Sequence, residues 1–334
     1  MRTERGESNP FAVLIVGCGN IAGRFDLERP QLDYPYTHAG AYLRDGRFKI
    51  AACVDPDDKR RREFMEAWDI PEGYSSIDQA LSSNHEFDVV SICSPTDAHA
   101  SNIETALSAN PKAIFCEKPL TSSLGETEHL VTKCRQSNVL LAVNYTRRWD
   151  PEVEKLAEDI ELGRRGPLRS ISGLYNKGIF NNGSHMVDLL QFLVGPVEVA
   201  FVGQSIDDYT TDDPTIPVWL VGNGVVPIQL NCGYATDYAV FELQLIFSSG
   251  TLTMEDGGMF WRERRAVDSD TFKGYRKLNG GMRRPGKYSQ AMLKAIDNIY
   301  SAIVGDKPLA STGDTALVSH RLCDQIKQLS CRQN

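Results

Sequence analysis

Five short stretches of this chain hold residue types whose spacing could do chemistry. The first is Gly17-Cys18-Gly19-Asn20-Ile21-Ala22, directly after the apolar run Phe11 to Val16. In a Gly-x-Gly-x-x-Ala turn the first glycine allows a tight bend and the second lets the backbone approach a pyrophosphate. Ala22 lets the next helix pack close to the strand. The N–H groups at the helix start, from Asn20 and Ile21 onward, suit an anion. The second is Asp55, which ends the apolar run Phe48 to Val54. A carboxylate there can accept hydrogen bonds from ribose hydroxyls, which favours NAD over NADP. Lys59 and Arg60 stand close enough in sequence to take a 2′-phosphate, so NADP stays open.

The third stretch, Ser94-Pro95-Thr96-Asp97-Ala98-His99, falls at the carboxyl end of another strand, the edge where open parallel sheets bind ligands. Pro95 also ends that strand, and Thr96 or Asp97 can cap the helix behind it. The fourth is Cys116-Glu117-Lys118-Pro119. Packing does not call for a lysine at a strand end, and a buried ammonium costs free energy unless paired. Lys118 therefore has a partner or a task, or else is an exposed loop lysine; Pro119 could be cis. The fifth is Asn181-Asn182-Gly183-Ser184-His185-Met186-Val187-Asp188. The apolar stripe of Leu189, Leu190, Phe192 and Leu193 puts His185 on the first turn of a helix. Asp188, three residues on, shares its face and could orient the imidazole, or be an exposed carboxylate near the helix start.

These stretches need a frame. Runs at Phe11–Val16, Phe48–Val54, Phe87–Cys93, Ala113–Cys116 and Val139–Val143 read as buried strands. Helical patterns at Asp57–Trp68, Asp97–Ala109 and Leu124–Gln136 alternate with them, which predicts a doubly wound parallel sheet, a Rossmann domain over 1–146. The aperiodic stretch Phe25 to Tyr36, with two prolines, predicts a long loop just beyond the glycine turn. It is either functional or a surface insertion. From Trp149 the pattern changes. A helix at Pro151–Glu161 precedes strands near 168–175, 197–203, 218–222, 226–232, 239–247 and 250–255, and helices at 288–303 and 312–329 close the chain. Residues 147–334 thus form a second α+β domain with an open, mostly antiparallel sheet. Segments 178–182, 209–213 and 273–284 read as loops that carry pocket-lining residues. Gly280 to Gly286, with Arg283 and Arg284, either reaches an anionic substrate or is a mobile linker.

Composition narrows the class. With 334 residues, 41% hydrophobic and 24% charged, the chain is an ordinary globular protein of two domains. No apolar run approaches the ~18–20 residues of a membrane span. Met1 to Pro10 lack the apolar core of a secretory signal and read as a frayed start, which points to the cytoplasm. The net charge of −8, with basic residues clustered only at 59–62 and at Arg262, Arg264 and Arg265, argues against nucleic acid as partner. Those clusters read as solvated faces. The eight cysteines form no Cys-x-x-Cys pair and read as small core hydrophobes, so no metal site is expected.

Taken together, these motifs and Asn144-Tyr145-Thr146-Arg147-Arg148-Trp149-Asp150-Pro151 resemble the glucose–fructose oxidoreductase, inositol dehydrogenase and MocA family. The Glu-Lys-Pro motif is the distinctive element. The resemblance covers nearly the whole chain. It implies NAD(P)-dependent oxidation or reduction of a sugar, nucleotide sugar or polyol, and a homodimer or homotetramer paired through the open sheet. It carries over Lys118 and His185 as catalytic residues, with Asn181 beside them. Gly17, Gly19, Asn20, Ile21, Ala22, Asp55, Ser94, Pro95, Thr96, His99, Glu117, Lys118 and Arg148 become the cofactor set. Many polyol dehydrogenases of the family carry Asp where this chain has Asn181, whereas members acting on nucleotide-linked sugars often carry Asn. That leans the substrate toward a nucleotide-linked or modified sugar. A glycoside-cleaving route with transient sugar oxidation, and a cofactor-sensing protein without catalysis, are the competing expectations.

Overall fold

The structure, a computed structural model, describes residues 9–29, 33–83 and 85–332. Met1 to Ser8 of the expected frayed start, and Pro30, Gln31 and Leu32 of the expected loop, lie outside the described residues. The chain divides into two compact units, Met1–Thr146 with Gln290–Leu317, and Arg147–Ser289 with Val318–Asn334.

In the first unit β1 (Phe11–Val16), β2 (Phe48–Val54), β3 (Glu72–Tyr74), β4 (Val89–Ile92), β5 (Ala113–Cys116) and β6 (Leu140–Val143) form one sheet. Its order is β3-β2-β1-β4-β5-β6, every pair parallel. Helices cover such a sheet on both faces, so its central strands carry apolar residues at every position. Val13, Leu14, Ile15, Val89, Val90 and Ile92 are all completely buried. The strand order reverses between β1 and β4, the point where open α/β sheets bind ligands beyond the carboxyl ends of their strands. Short polar side chains start the helices. Thr37 accepts from Gly40 N–H, Asp57 from Arg60, Ser76 from Gln79 and Ser123 from Glu126. The basic run at 59–62 is paired along its own helix, Arg61 and Arg62 both with Asp58.

Residues 290–317 also pack in this unit, although the sequence division had placed all of 147–334 in the second. Tyr300, on the helix Ala291–Ile303, packs its ring 5.7 Å from Phe11 and 6.1 Å from Phe48. Arg47 lies 4.1 Å over the Tyr300 ring and pairs with Asp297 at 2.8 Å. Ser311 Oγ donates to the Val143 carbonyl, and Thr312 bridges to Ala142 on β6. An apolar helix stripe does not say which sheet it covers, so periodicity alone could not assign this segment.

The second unit is built on β7 (Leu168–Tyr175), β8 (Val197–Val202), β9 (Ile206–Thr210), β10 (Asp213–Thr215), β11 (Val218–Gly222), β12 (Val226–Cys232), β13 (Phe241–Phe247), β14 (Gly250–Glu255), β15 (Phe260–Asp268), β16 (Arg276–Leu278) and β17 (Met282–Pro285). The large sheet runs β16-β15-β14-β13-β7-β12-β11-β8, with β17 also on β15, while β9 and β10 form a separate hairpin. It is antiparallel except for β7 against β12. Alternation sets its faces: Phe241, Leu243, Leu245 and Phe247 of β13 point into the core. Phe201 and Trp219, opposite each other on β8 and β11, stand more than half exposed. The expected linker at 280–286 is instead largely sheet edge. Arg283 pairs with Glu255 at 2.6 Å and lies over Phe260, and Arg284 pairs with Glu152 at 2.6 Å. These ion pairs commit the arginines that had seemed available to an anionic substrate.

Six of the cysteines are buried as expected, but Cys232 is only partly buried and Cys331 is exposed. No helix among the described residues is long and apolar enough to cross a membrane.

Asp150, at the start of the helix Pro151–Glu161, caps it through Oδ1 and the Glu152 N–H at 2.9 Å. Its Oδ2 is buried without a hydrogen-bond partner among the described residues. Burial pushes this carboxyl up to about 6, against the pull of the Glu152 N–H. A folded value above the unfolded one means that stability from this group is fully present below about pH 4 and is lost as pH rises through about 6. Asp150→Asn keeps a capping side chain and removes the charge. The variant is expected to be more stable than the parent at pH 7 by about 1–3 kcal/mol. The gain should vanish below pH 4 in urea titrations across that range; a gain independent of pH would refute the buried charge.

Candidate functional site

The glycine turn of the first unit is fixed by its neighbours. Gly17 has φ +92°, and a Cβ there would sit 2.6 Å from Ser94 N and 2.7 Å from the Cys93 carbonyl. Only glycine fits, so β1 can turn against the end of β4. Gly19 is the opposite case: a Cβ would meet nothing within 4 Å, which leaves open space over the backbone. A π-helical turn, Asn20–Arg24, follows and runs into Phe25–Leu27. Ala22 is completely buried. The close approach to the helix Asp58–Trp68 is made by Gly23, whose Cβ would collide with Phe64 and the Trp68 indole. The motif gives Ala22 a different packing, that of the following helix on β1.

Asp55 is buried at the end of β2. Its Oδ2 accepts from Cys18 N–H at 3.0 Å and its Oδ1 from Asp57 N–H at 2.9 Å, while Arg60 Nη1 lies 3.5 Å from Oδ2. The carboxylate thus ties the glycine turn to β2. These backbone bonds use about half of the four lone-pair sites a carboxylate offers, leaving acceptor capacity for ribose hydroxyls. A cavity of about 80 Å³ beside it is lined by Cys18, Arg24, Leu27, Arg60, Glu63 and Phe64. The open backbone at Gly19 and the Asp55 carboxylate suit the pyrophosphate and ribose of a dinucleotide. Leu27 belongs to the expected loop, so the loop's base lines that cavity.

The loop closes on Asp26. Tyr36 N–H donates to Asp26 Oδ1 at 2.9 Å; Thr37 donates to Oδ2 from N–H at 3.1 Å and from Oγ1 at 2.6 Å. The helix His38–Asp45, absent from the sequence-based assignment, begins at this clamp. A twelve-residue interruption had hidden its start.

Ser94, Pro95 and Thr96 lie on the loop after β4, where Pro95 precedes a 3₁₀ turn, Thr96–Ala98. Expected at the cofactor, His99 is almost completely buried and both its ring nitrogens face carbonyls. Nε2 lies 2.9 Å from Ser94 O; Nδ1 lies 3.0 Å from Pro119 O and 3.2 Å from Leu120 O. It braces the Ser94 loop against the turn after Lys118, and its polar atoms are occupied there. The Lys118–Pro119 peptide is cis. Glu117, also expected at the cofactor, points Oε1 into the protein. His38 Nε2 is 2.9 Å from it and Asn144 Nδ2 donates at 2.6 Å. Burial works to raise the Glu117 carboxyl, but the His38 and Asn144 hydrogen bonds and the Lys118 charge outweigh it and hold it below its ordinary value.

In the second unit Asn181 lies in a π-helical turn, Gly178–Gly183, and His185 on the helix Ser184–Val194 that continues it. Two aspartates of the β9–β10 hairpin hold this turn. Asp213 Oδ1 accepts from Phe180 N–H at 2.8 Å and Oδ2 from Asn181 N–H at 2.9 Å. Asp208 accepts from Lys177 N–H at 2.6 Å. Asn181 and His185 are both half-buried. Asp188 is not the exposed carboxylate that was one expectation; it is 1% exposed. Arg148 Nε reaches both its oxygens, at 3.0 and 2.8 Å, and Ser319 Oγ donates to Oδ1 at 3.1 Å. Arg148, expected among the cofactor residues, is thus the counter-ion of Asp188 and lies over the Phe192 ring. Asp213 falls in a segment expected to line the pocket, whereas Asp208, His38 and Ser319 were missed because each acts through long-range contacts that no local spacing encodes.

Comparison with known proteins bears on the first unit and on the fold. Residues 11–145 match the family described as "Oxidoreductase family, NAD-binding Rossmann fold". An uncharacterized oxidoreductase, YrbE, from Bacillus subtilis is 35% identical over 129 residues, 39% of this chain and 37% of that protein. Inositol 2-dehydrogenase from Rhizobium meliloti is 26% identical over 266 residues, 73% of this chain and 79% of that protein. The alignment to YrbE thus spans little more than a third of that relative's length. Among solved structures, the WlbA dehydrogenase from Bordetella pertussis, in complex with NADH and UDP-GlcNAcA, superposes with a TM-score of 0.75 at 18% identity, covering 98% of both chains.

Proposed function

We propose that this chain, whose residues 11–145 match an oxidoreductase family with an NAD-binding Rossmann fold and which resembles the glucose–fructose oxidoreductase, inositol dehydrogenase and MocA proteins, moves a hydride between a nicotinamide cofactor and a hydroxyl or keto group of a sugar, nucleotide sugar or polyol. The observation that carries the proposal is Gly17, whose φ and packing admit only glycine, beside an open Gly19 and the Asp55 carboxylate on the Cys18 N–H. Gly19, Asn20, Ile21 and Asp55 would hold the cofactor, with the buried Ala22 packed beneath the turn and the Ser94–Thr96 loop alongside. When bound, the cofactor supplies the hydride acceptor or donor.

The chain's own residues do the rest. His185 takes the proton of the substrate hydroxyl during oxidation and returns one to the oxygen during reduction, work that suits an imidazole near neutral pH. The Lys118 ammonium holds that oxygen and stabilises the negative charge it gains. Asn181 hydrogen-bonds the substrate without titrating, and Asp213 fixes its backbone. Asn181 in place of a carboxylate supports a nucleotide-linked or modified sugar, and NAD is the preferred cofactor because Asp55 would face a 2′-phosphate. Pairing of subunits into a homodimer or homotetramer through the sheet face bearing Phe201 and Trp219 belongs to the same proposal.

The test is a screen of NAD- and NADP-linked turnover over free sugars, cyclitols and nucleotide sugars, with cofactor binding measured separately by fluorescence. Turnover of a nucleotide sugar with NAD is the expected result. Turnover of free polyols alone would overturn the substrate, and absence of cofactor binding would overturn the whole assignment.

A further inference from the structure

A chain of buried polar groups in the first unit ends at Glu117, the residue before Lys118. Tyr42 OH lies 2.8 Å from Ser91 Oγ, Ser91 Oγ lies 3.3 Å from His38 Nδ1, and His38 Nε2 lies 2.9 Å from Glu117 Oε1. His38, Tyr42 and Ser91 are completely buried. The His38 ring also packs 4.4 Å from that of Phe115, which limits its rotation. One assignment of protons satisfies every contact: Tyr42 donates to Ser91, Ser91 to Nδ1, and Nε2–H to the Glu117 carboxylate. Asn144 Nδ2 donates to the same oxygen, with its own Oδ1 fixed by Thr146 Oγ1 at 3.0 Å.

We propose that His38 is a positioning residue: it fixes the Glu117 carboxylate, which in turn sets the electrostatic environment of the Lys118 ammonium. A polar chain from three separate elements has no packing purpose at the end of a parallel sheet, where apolar side chains would fill the space without desolvation cost. A carboxylate held at one place beside an ammonium favours its charged form. Among the described residues the Cys93 and Cys116 thiols also face the Glu117 charge, and burial drives both far above the usual thiol range, so they stay neutral. The Asp26 clamp delivers His38, because Thr37, which it grips, is the residue before it. The long loop after the glycine turn therefore returns the chain to the point this network requires.

The catalytic meaning of this network rests on the role given to Lys118 above, but its test needs no substrate. The pH dependence of Lys118 acetylation by acetic anhydride, followed by peptide mass spectrometry on the full chain, reads the titration midpoint of its amine. Glu117→Gln, which removes the charge, is expected to lower that midpoint by roughly one pH unit, and His38→Leu, which leaves the charge but releases the carboxylate from its place, to lower it by a smaller, measurable amount. His38→Gln, which can still donate to Glu117, should keep most of the parent value at a comparable loss of thermal stability. A midpoint that moves in Glu117→Gln but not in His38→Leu overturns the role of His38, and one that moves in neither overturns the coupling. If His38→Leu does not fold, Ser91→Ala removes the hydroxyl that His38 Nδ1 and Tyr42 OH share, and an unchanged midpoint there overturns the proposal equally. A failed substrate screen with these shifts present would instead count against the reaction and leave the network standing.

Discussion

His185→Ala is expected to lower turnover by roughly 10²–10⁴-fold while cofactor affinity and folding stay close to those of the parent. The range is that of a positioned general base, and the structure gives reasons to expect positioning. The helix that carries His185 continues a turn whose N–H groups at Phe180 and Asn181 are tied to one carboxylate, Asp213. That carboxyl is raised by burial, with the two N–H bonds opposing the rise. His185 itself is half-buried, so truncating it removes little packing. The measurement is kcat/KM on the substrate found by the screen, beside a cofactor titration and a melting curve. A loss below about tenfold would mean that another group or water takes the proton.

The second large effect concerns folding. Asp188→Ala should cost about 3–5 kcal/mol, because it leaves the Arg148 guanidinium buried without its carboxylate. Both side chains of this pair are under 10% exposed, so solvent cannot replace the lost partner. Desolvation raises the Asp188 carboxyl, and Arg148 and Ser319 work against it. Removing both charges together, as in Arg148→Met with Asp188→Leu, should be far less damaging than the single change. Urea midpoints of the parent, the single variants and the double variant give the coupling. Strict additivity would show that the pair is not the reason these residues are buried.

The parts of the fold legible in the sequence were those with a local signature. The five long strands of the first sheet could be seen because both of their faces are buried. The glycine turn could be seen because φ at Gly17 and its contact with Cys93 admit no side chain. The strand Glu72–Tyr74, with three residues, is too short to show a period. The edge strands Arg276–Leu278 and Met282–Pro285 are charged and flanked by glycines, which reads as loop until β15 supplies the pairing. The candidate site divides the same way. Lys118, Asn181 and His185 are expected at the site by motif. Glu117, His99 and Arg148 belong to the same motifs, and the structure ties Glu117 Oε1 to His38, the His99 ring to the Ser94 and Pro119 carbonyls, and Arg148 Nε to Asp188. A motif shows that a side chain matters, and only three-dimensional contacts show to what it is bound.

Residues 290–317 carry a consequence for how this protein is made. Tyr300, Asp297 and Ser311 close contacts with Phe11, Arg47 and Val143, so the first unit lacks a helix and a bridge until those residues exist. On a ribosome adding about 5–20 residues per second, the dinucleotide-binding unit waits on the order of 10–30 s after its own first stretch has been made. During that interval the β6 edge and the Phe11–Phe48 ring pair lack their later cover. Nascent chains arrested near residue 150 should therefore be far more protease-sensitive in this unit than chains arrested well beyond residue 317.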